Sequence, residues 1–211
     1  MNLIAKRPLC PVCLRPQSSC ICRWIAATQN DVDVLILQHP LEQPNAKGSA
    51  RLLHLSLPAS RMLVGEAFDA QELQAALHAP RAGGAGPGLQ PVLLYPDTSA
   101  SDARDLAHGA PPFSIADRAP QDLRLVLLDA TWRKSRKMLY LNPLLQSVPR
   151  LSLQAMPPSH YRIRKAHGPD QLSTLEAACY ALMQLERDTE KYSRLLQAFD
   201  GFVAQQLAYV K

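Results

Sequence analysis

The stretch "LVLLDATWRKSRKM", residues 125–138, decides how this chain is read. A continuous apolar run ends on Asp129, and Thr131, Trp132, Arg133, Lys134, Arg136 and Lys137 follow at once. Apolar residues in succession, without polar alternation, mark a strand covered on both faces, as in a parallel sheet. Two other runs read the same way, "DVLILQ" (33–38) and "PVLLYP" (91–96), while the first extends back to "LRLVLLD" (123–129). Helical periodicity lies between and after them, at 49–57, 70–77, 133–141, 174–187 and 190–209, with Pro143 predicted to stop the third helix. Strands alternating with helices predict an α/β domain with a mostly parallel sheet. Ligands of such sheets bind beyond the carboxyl ends of the strands. Those ends are Gln38–His39–Pro40, Tyr95–Pro96–Asp97 and Asp129–Ala130–Thr131.

The chain has 211 residues, 47% of them hydrophobic, enough for a sizeable core. No apolar run approaches the roughly 18 residues that cross a bilayer. The opening "MNLIAKRPLC" lacks the apolar segment of a secretory signal, so a cytoplasmic setting is predicted, and no obligatory protein partner is evident. The formal charge is +5, but its distribution is uneven. Between Ala130 and Pro169 stand Arg133, Lys134, Arg136, Lys137, Arg150, Arg162, Arg164 and Lys165 without a single acid. The remainder carries 15 basic and 18 acidic residues. Such segregation points to a polyanion, because phosphates reward clustered cations through counterion release. "GGAGPG" (83–88) precedes a strand and contains Pro87, so it reads as a linker instead of a phosphate loop.

Four of the five cysteines, Cys10, Cys13, Cys20 and Cys22, fall within "CPVCLRPQSSCIC". In a reducing compartment this clustering favours metal ligation over disulfides. Four thiolates complete a closed tetrahedral zinc site, which makes the ion structural. The expected organisation is a zinc-binding motif over 1–28 and a catalytic domain over 29–211. Arg15 and Arg23 lie near enough to this motif to touch RNA or simply to be solvated. Cys179, in "LEAACYALM", is expected in the core.

The Asp-x-Thr-Trp turn, here Asp129, Thr131 and Trp132, resembles the signature of the DTW-domain family. The cysteine cluster, "HPLE" (39–42), "YRIR" (161–164) and "LSTLEA" (172–177) agree with that family in kind and order. The resemblance covers the chain from Cys10 to its C-terminal helices. It implies a tRNA-uridine aminocarboxypropyltransferase, similar to bacterial enzymes acting on the tRNA variable loop. Such enzymes move the 3-amino-3-carboxypropyl group of S-adenosylmethionine to N3 of a uridine, forming acp3U and releasing methylthioadenosine. It further implies a SPOUT-like domain with a C-terminal trefoil knot, a topology that periodicity cannot reveal. Only Asn45, Ser49 and Arg51 echo the family pattern loosely.

On that resemblance Asp129 is the catalytic candidate, either as base for the uridine imide or as anchor for the donor. Tyr95, Pro96, Asp129, Thr131, Trp132, Leu172, Ser173, Thr174 and Glu176 are expected around the cofactor. Trp132 either stacks on a base or belongs to the core. Glu176 lies three residues after Ser173 and also fits a capping box. An arginine such as Arg164 suits the donor carboxylate. RNA contacts are expected from Arg133, Lys134, Arg136, Lys137, Arg162, Arg164 and Lys165. His39, Glu42 and Arg51 are pocket candidates, although a histidine before proline also shapes turns. Two other functions stay compatible with these residues, a related RNA methyltransferase and a non-enzymatic zinc-containing RNA-binding module.

Overall fold

The computed structural model describes residues 8–81, 86–96, 110, 113–115, 118–154, 156–160 and 172–209. Five strands form one sheet: β1 (Asp33–Gln38), β2 (Ser60–Val64), β3 (Gln90–Leu94), β4 (Leu123–Asp129) and β5 (Arg150–Leu151). Their spatial order is β2-β1-β4-β3-β5, and every neighbouring pair is parallel. The α-helices among the described residues are α1 (Ala50–Ser56), α2 (Ala70–His78), α3 (Trp132–Leu141), α4 (Pro143–Gln146), α5 (Thr174–Glu186) and α6 (Ser193–Ala208).

The uninterrupted apolar runs are explained by helices on both faces of the sheet. Val34, Ile36, Leu125 and Leu127 join α1, α5 and α6 through Leu53, Leu182 and Phe199. The alternate positions Leu35, Leu37 and Val126 face α2, α3 and α4 through Leu73, Met138 and Leu145. All six residues of β1 are buried in consequence. Each large aliphatic side chain removed from water here contributes roughly 1.5–3 kcal/mol. Two central strands, β1 and β4, thereby become the rigid floor on which the site is built. Their register sets Gln38 directly opposite Asp129.

One charged residue interrupts that floor. Arg124, fully buried in β4, donates to Asp33 Oδ1 at 2.6 Å. It also donates to the carbonyls of Ala76 at 2.6 Å and Leu77 at 3.1 Å in the last turn of α2. The pair lies across β1 and β4, where the register places Asp33 opposite Arg124. The Asp33 carboxylate and the negative end of a helix together offset much of the cost of burying this cation.

Several elements depart from the sequence expectation. Strand β2 was not expected, because an edge strand with its last two residues exposed has no buried run to announce it. Strand β5, two residues long, is shorter than any periodicity can register. Pro143 does end α3, and it also opens α4, where its missing N–H and fixed φ suit the first helical position. The last helix begins at Ser193 and not at 190, because Asp188 Oδ1 accepts from the N–H groups of Glu190 and Lys191 in a separate turn. The described residues establish the parallel α/β sheet and not the trefoil knot. Half of "GGAGPG" (83–85) and all of "YRIR" lie outside them, as does Asp97.

The cysteine segment packs directly onto the same core. Cys13 and Ile21 belong to the cluster built around α5 and α6. Trp24 donates its indole N–H to Gln205 on α6, and the indole comes so near that a Cβ at Gly201 would collide with it. Arg15 hydrogen-bonds the carbonyls of Ala46 and of Gly48, the latter at 2.7 Å, and lies over the Phe202 ring at 5.2 Å. Arg23 lies over Trp24 at 4.7 Å. Cys179 is fully buried in the core, as expected.

Candidate active site at the carboxyl edge of the sheet

Asp129 closes β4 and is only 6% exposed. Gln38, the last residue of β1, donates its amide to Asp129 Oδ2 at 2.8 Å. Thr174, the first residue of α5, donates its hydroxyl to Oδ1 at 2.6 Å. The Asp129 carbonyl accepts from the His39 N–H at 3.0 Å. The carboxylate therefore knots together two strand ends and a helix start that are far apart in sequence.

The start of α5 is organised by a full capping box between Ser173 and Glu176. The Ser173 N–H donates to Glu176 Oε2 at 2.8 Å, and the Glu176 N–H donates back to Ser173 Oγ at 3.2 Å. The same carboxylate accepts from the Ser159 hydroxyl at 2.9 Å and the His160 N–H at 2.7 Å. Glu176 is thus a cap and also the fastening of the 159–160 segment to the helix. Ser49 accepts the Leu175 N–H at 3.2 Å, so a residue flagged only loosely by sequence is in the site. Leu172, half-buried, precedes the cap.

Around these groups runs a narrow crevice lined by Glu42, Asn45, Gly48, Ser49, Asp129, Ala130, Ser173 and Thr174. A larger hollow along α2, between Ala70 and Ala79, is open and almost wholly apolar. In the crevice, by contrast, hydroxyls, a helix start and two carboxylates converge. Thr131 stands at the N-cap of α3, its side chain making no cap bond.

Glu42 is buried and pairs with Lys134 at 2.8 Å, while Asn45 donates to its other oxygen at 3.1 Å. Lys134 thus leans toward the crevice instead of standing free on the helix. Lys137 pairs with Glu66 at 2.9 Å. His39 Nδ1 accepts the Leu41 N–H at 3.1 Å, so Nε2 carries the proton toward Glu66 Oε1 at 3.0 Å. Lys137, then His39, hold the Glu66 carboxyl below its usual range. His39 accordingly shapes its turn and also ties it to Glu66. Arg133 is exposed and Arg136 half-buried. Arg162, Arg164 and Lys165 lie outside the described residues.

Arg51 does not line the crevice; its guanidinium donates to the Val12 carbonyl at 2.9 Å, in the cysteine turn. Trp132 is 48% exposed, which settles against core membership. It stacks on buried Tyr95 with centroids 5.2 Å apart and planes inclined by 22°. Arg150 covers the Tyr95 ring at 5.0 Å. Pro96 follows, exposed.

The four sulfurs of Cys10, Cys13, Cys20 and Cys22 all lie within 4.8 Å of one another. Cys10 and Cys22 are 3.5 Å apart, and Cys13 and Cys20 are 3.8 Å apart. A tetrahedral ion with thiolates at about 2.3 Å requires sulfurs about 3.8 Å from each other, so this set fits zinc. The turn is held by the Leu14 N–H on the Cys10 carbonyl at 2.9 Å, with Leu14 itself at φ 59°. The Cys13 and Val12 N–H groups face the Cys10 sulfur and draw its pKa down to about 6. Burial, then the neighbouring Cys10 thiol, pushes Cys22 up to about 12. A bound divalent ion would hold all four as thiolates.

Comparison with known proteins bears on this geometry directly. The family model described as DTW domain matches residues 7–207. The chain belongs to the DTW-domain family. The matched residues include the β4–α3 junction that carries Asp129, Thr131 and Trp132. The mouse protein named tRNA-uridine aminocarboxypropyltransferase 2 is 28% identical over 213 residues, spanning 98% of this chain and 67% of its own length. Its Drosophila melanogaster namesake is 29% identical over 210 residues, 96% of this chain and 76% of its own. In Arabidopsis thaliana, tRNA-uridine aminocarboxypropyltransferase A is 28% identical over 145 residues, 63% of this chain and 50% of its own. No solved structure matches.

Sequence reasoning passed over Glu66, which acquires its role from neighbours distant in the chain. It placed Gln38 at a strand end and Arg150 in the acid-free cationic stretch, without assigning either a partner.

Proposed function

We propose that this chain is a tRNA-uridine aminocarboxypropyltransferase, with S-adenosylmethionine as donor and N3 of a uridine as acceptor. The observation that carries the reading is the hydrogen bond from Thr174 to Asp129. It joins the Asp-x-Thr-Trp turn to the Ser-Thr helix start, two motifs that the family shares and that lie 45 residues apart. Family membership and the relatives' names supply the reaction class.

In this reading the uridine N3 gives up its imide proton to solvent water and attacks the γ-carbon of the aminocarboxypropyl group. The carbon–sulfur bond breaks, its electron pair stays on sulfur, and the sulfonium leaves as the neutral thioether methylthioadenosine. The protein's main contribution is to present the γ-carbon, and not the methyl, in line with N3. Tyr95, Pro96, Thr131, Trp132, Leu172, Ser173, Thr174 and Glu176 border the donor. Both Asp129 oxygens already accept hydrogen bonds. That arrangement suits holding the donor's ammonium and fixing α5 better than taking up a proton. Glu42 lines the same crevice and is the nearer analogue of a second polar anchor.

Arg133, Arg136 and the cations at 162, 164 and 165 complete the tRNA surface, which orients the substrate without choosing the base. Lys134 and Lys137 contribute through their glutamate pairs. The cysteine motif, 1–28, holds structural zinc and braces the catalytic domain, 29–211. A SPOUT-like knotted fold and a cytoplasmic setting complete the proposal. No described helix is long and apolar enough to cross a membrane.

The test is incubation with tRNA and S-adenosylmethionine, digestion to nucleosides and mass measurement. The expected product is uridine carrying the aminocarboxypropyl group, together with methylthioadenosine. Methyluridine as the product would replace this reading with a methyltransferase, and no product despite tRNA binding would leave a binding module.

A further inference from the structure

Arg150 opens β5 opposite Leu93 of β3, next to the carboxyl end of the sheet where Tyr95 follows β3. Its Nε, Nη1 and Nη2 are all buried, and none has a hydrogen-bond partner among the described residues. No other described arginine has its whole guanidinium in that state. Arg124, by contrast, spends two of its nitrogens on Asp33 and the end of α2. The Arg150 guanidinium lies over the Tyr95 ring, 5.0 Å from its centroid.

A ring face compensates a cation only partly, because it offers the edge N–H groups no acceptor. Buried donors left without acceptors are costly, and a buried charge more so. Proteins retain such groups chiefly where something else completes them. A guanidinium over a ring face still has its fork of N–H donors for a planar or tetrahedral oxyanion. Trp132, which is half exposed, also stacks on the Tyr95 ring. Tyr95 thus joins a buried cation to an open indole. Such a cluster suits a ligand that combines an aromatic base with an anionic group, as base–aromatic stacking is tolerant of base identity.

We propose that Arg150 is an oxyanion receptor, taking a carboxylate or a phosphate, with Trp132 as the accompanying base platform. The proposal rests on the transferase reading for its ligand. Within that reading the oxyanion has two sources, the donor's amino-acid carboxylate and a phosphate of the tRNA.

The experiment compares wild type with Arg150→Met and Arg150→Lys. Three affinities are measured by calorimetry: for S-adenosylmethionine, for methylthioadenosine, which lacks the amino-acid end, and for a tRNA transcript across a salt series. If the carboxylate is held, Arg150→Met weakens S-adenosylmethionine about tenfold or more, leaves methylthioadenosine unchanged, and is only partly rescued by lysine. If a phosphate is held, S-adenosylmethionine is unaffected while the tRNA salt slope falls by about one. Unchanged affinities for both ligands in a folded Arg150→Met overturn the receptor. Wild type binding neither ligand would instead overturn the transferase reading. In that event the Arg150 Nε–H resonance, titrated with inorganic phosphate alone, still decides the site: a saturable shift upholds it and a static peak removes it.

Discussion

Thr174, first in α5, and Asp129, last in β4, share a 2.6 Å hydrogen bond across 45 residues of chain. With Gln38 on the other carboxylate oxygen, the bond makes the crevice one rigid unit. Removing either partner should therefore affect chemistry before global stability.

Asp129→Ala is expected to abolish transfer while leaving tRNA binding largely intact. Asp129→Asn keeps the shape and loses the charge, so its rate should fall on the order of 100-fold, the scale of a lost electrostatic contact in a closed site. Thr174→Val deletes one bond to the carboxylate and should cost about 1.5–3 kcal/mol at that contact, seen as an intermediate loss of rate. Product formation by mass spectrometry, beside filter binding of tRNA, reads all three. Full activity in Asp129→Ala would remove the residue from the site.

Trp132 is exposed and its loss should barely touch the fold. Trp132→Ala is expected to change unfolding stability by no more than about 0.5 kcal/mol. Its cost should appear in ligand affinity, at about 1–3 kcal/mol for a lost stacking partner, with Trp132→Phe largely restored. Denaturant unfolding and donor titration on the same samples separate the two. A collapse in stability without loss of affinity would make the indole structural.

The sulfur geometry calls for one zinc per chain. Replacing Cys10 and Cys13 by Ser should release the metal and lower the melting temperature, because Cys13 and Ile21 carry the segment into the core. Metal content by elemental analysis and a thermal melt check this. Zinc retained at full stoichiometry in the double variant would rule out the four-thiolate site.

His54, in α1, shares a 2.9 Å hydrogen bond with Ser60 Oγ. Burial, and then the nearby Arg51, lower its pKa from 6.5. The folded state thus prefers the neutral ring, and below pH 6.5 the unfolded chain binds the proton more readily. Stability on this account is full above pH 6.5, falls as pH drops below it, and stops falling under the folded value. Urea unfolding between pH 5 and 8 should show this slope in wild type and a flatter one in His54→Gln. An unchanged slope in the variant would assign the effect to another group.

Much of the architecture was legible in residue order. Four of six residues at 33–38 and five of seven at 123–129 are apolar, largely in succession, a pattern that suits a strand covered on two faces. The cysteine spacing within 10–22 and the Ser173–Glu176 separation encode local geometry, which short chain segments carry by themselves. Edge strand β2 and the two-residue β5 escaped notice because their pairing partners, and not their own composition, make them strands.

The cationic stretch shows the same division. Order along the chain placed Lys134 and Lys137 together with Arg133 and Arg136 as one basic cluster. The fold brings Glu42 and Glu66 to the two lysines, which no spacing rule anticipates. Arg51, grouped with the pocket, is instead held by the cysteine turn through Val12.

The residues alone determined an α/β chain with buried parallel strands, a four-thiolate turn, a capped helix at Ser173 and a carboxylate at a strand end. Each is a property of side chains within one or two turns of backbone, where hydrophobic period, capping and thiol spacing act locally. Tertiary structure decided the rest. It chose Gln38 and Thr174 as the partners of Asp129, stacked Trp132 on Tyr95 outside the core, and left the Arg150 guanidinium buried over the Tyr95 ring without a hydrogen-bond acceptor among the described residues. Those outcomes follow from strand order and register, which bring together groups that chain distance keeps apart.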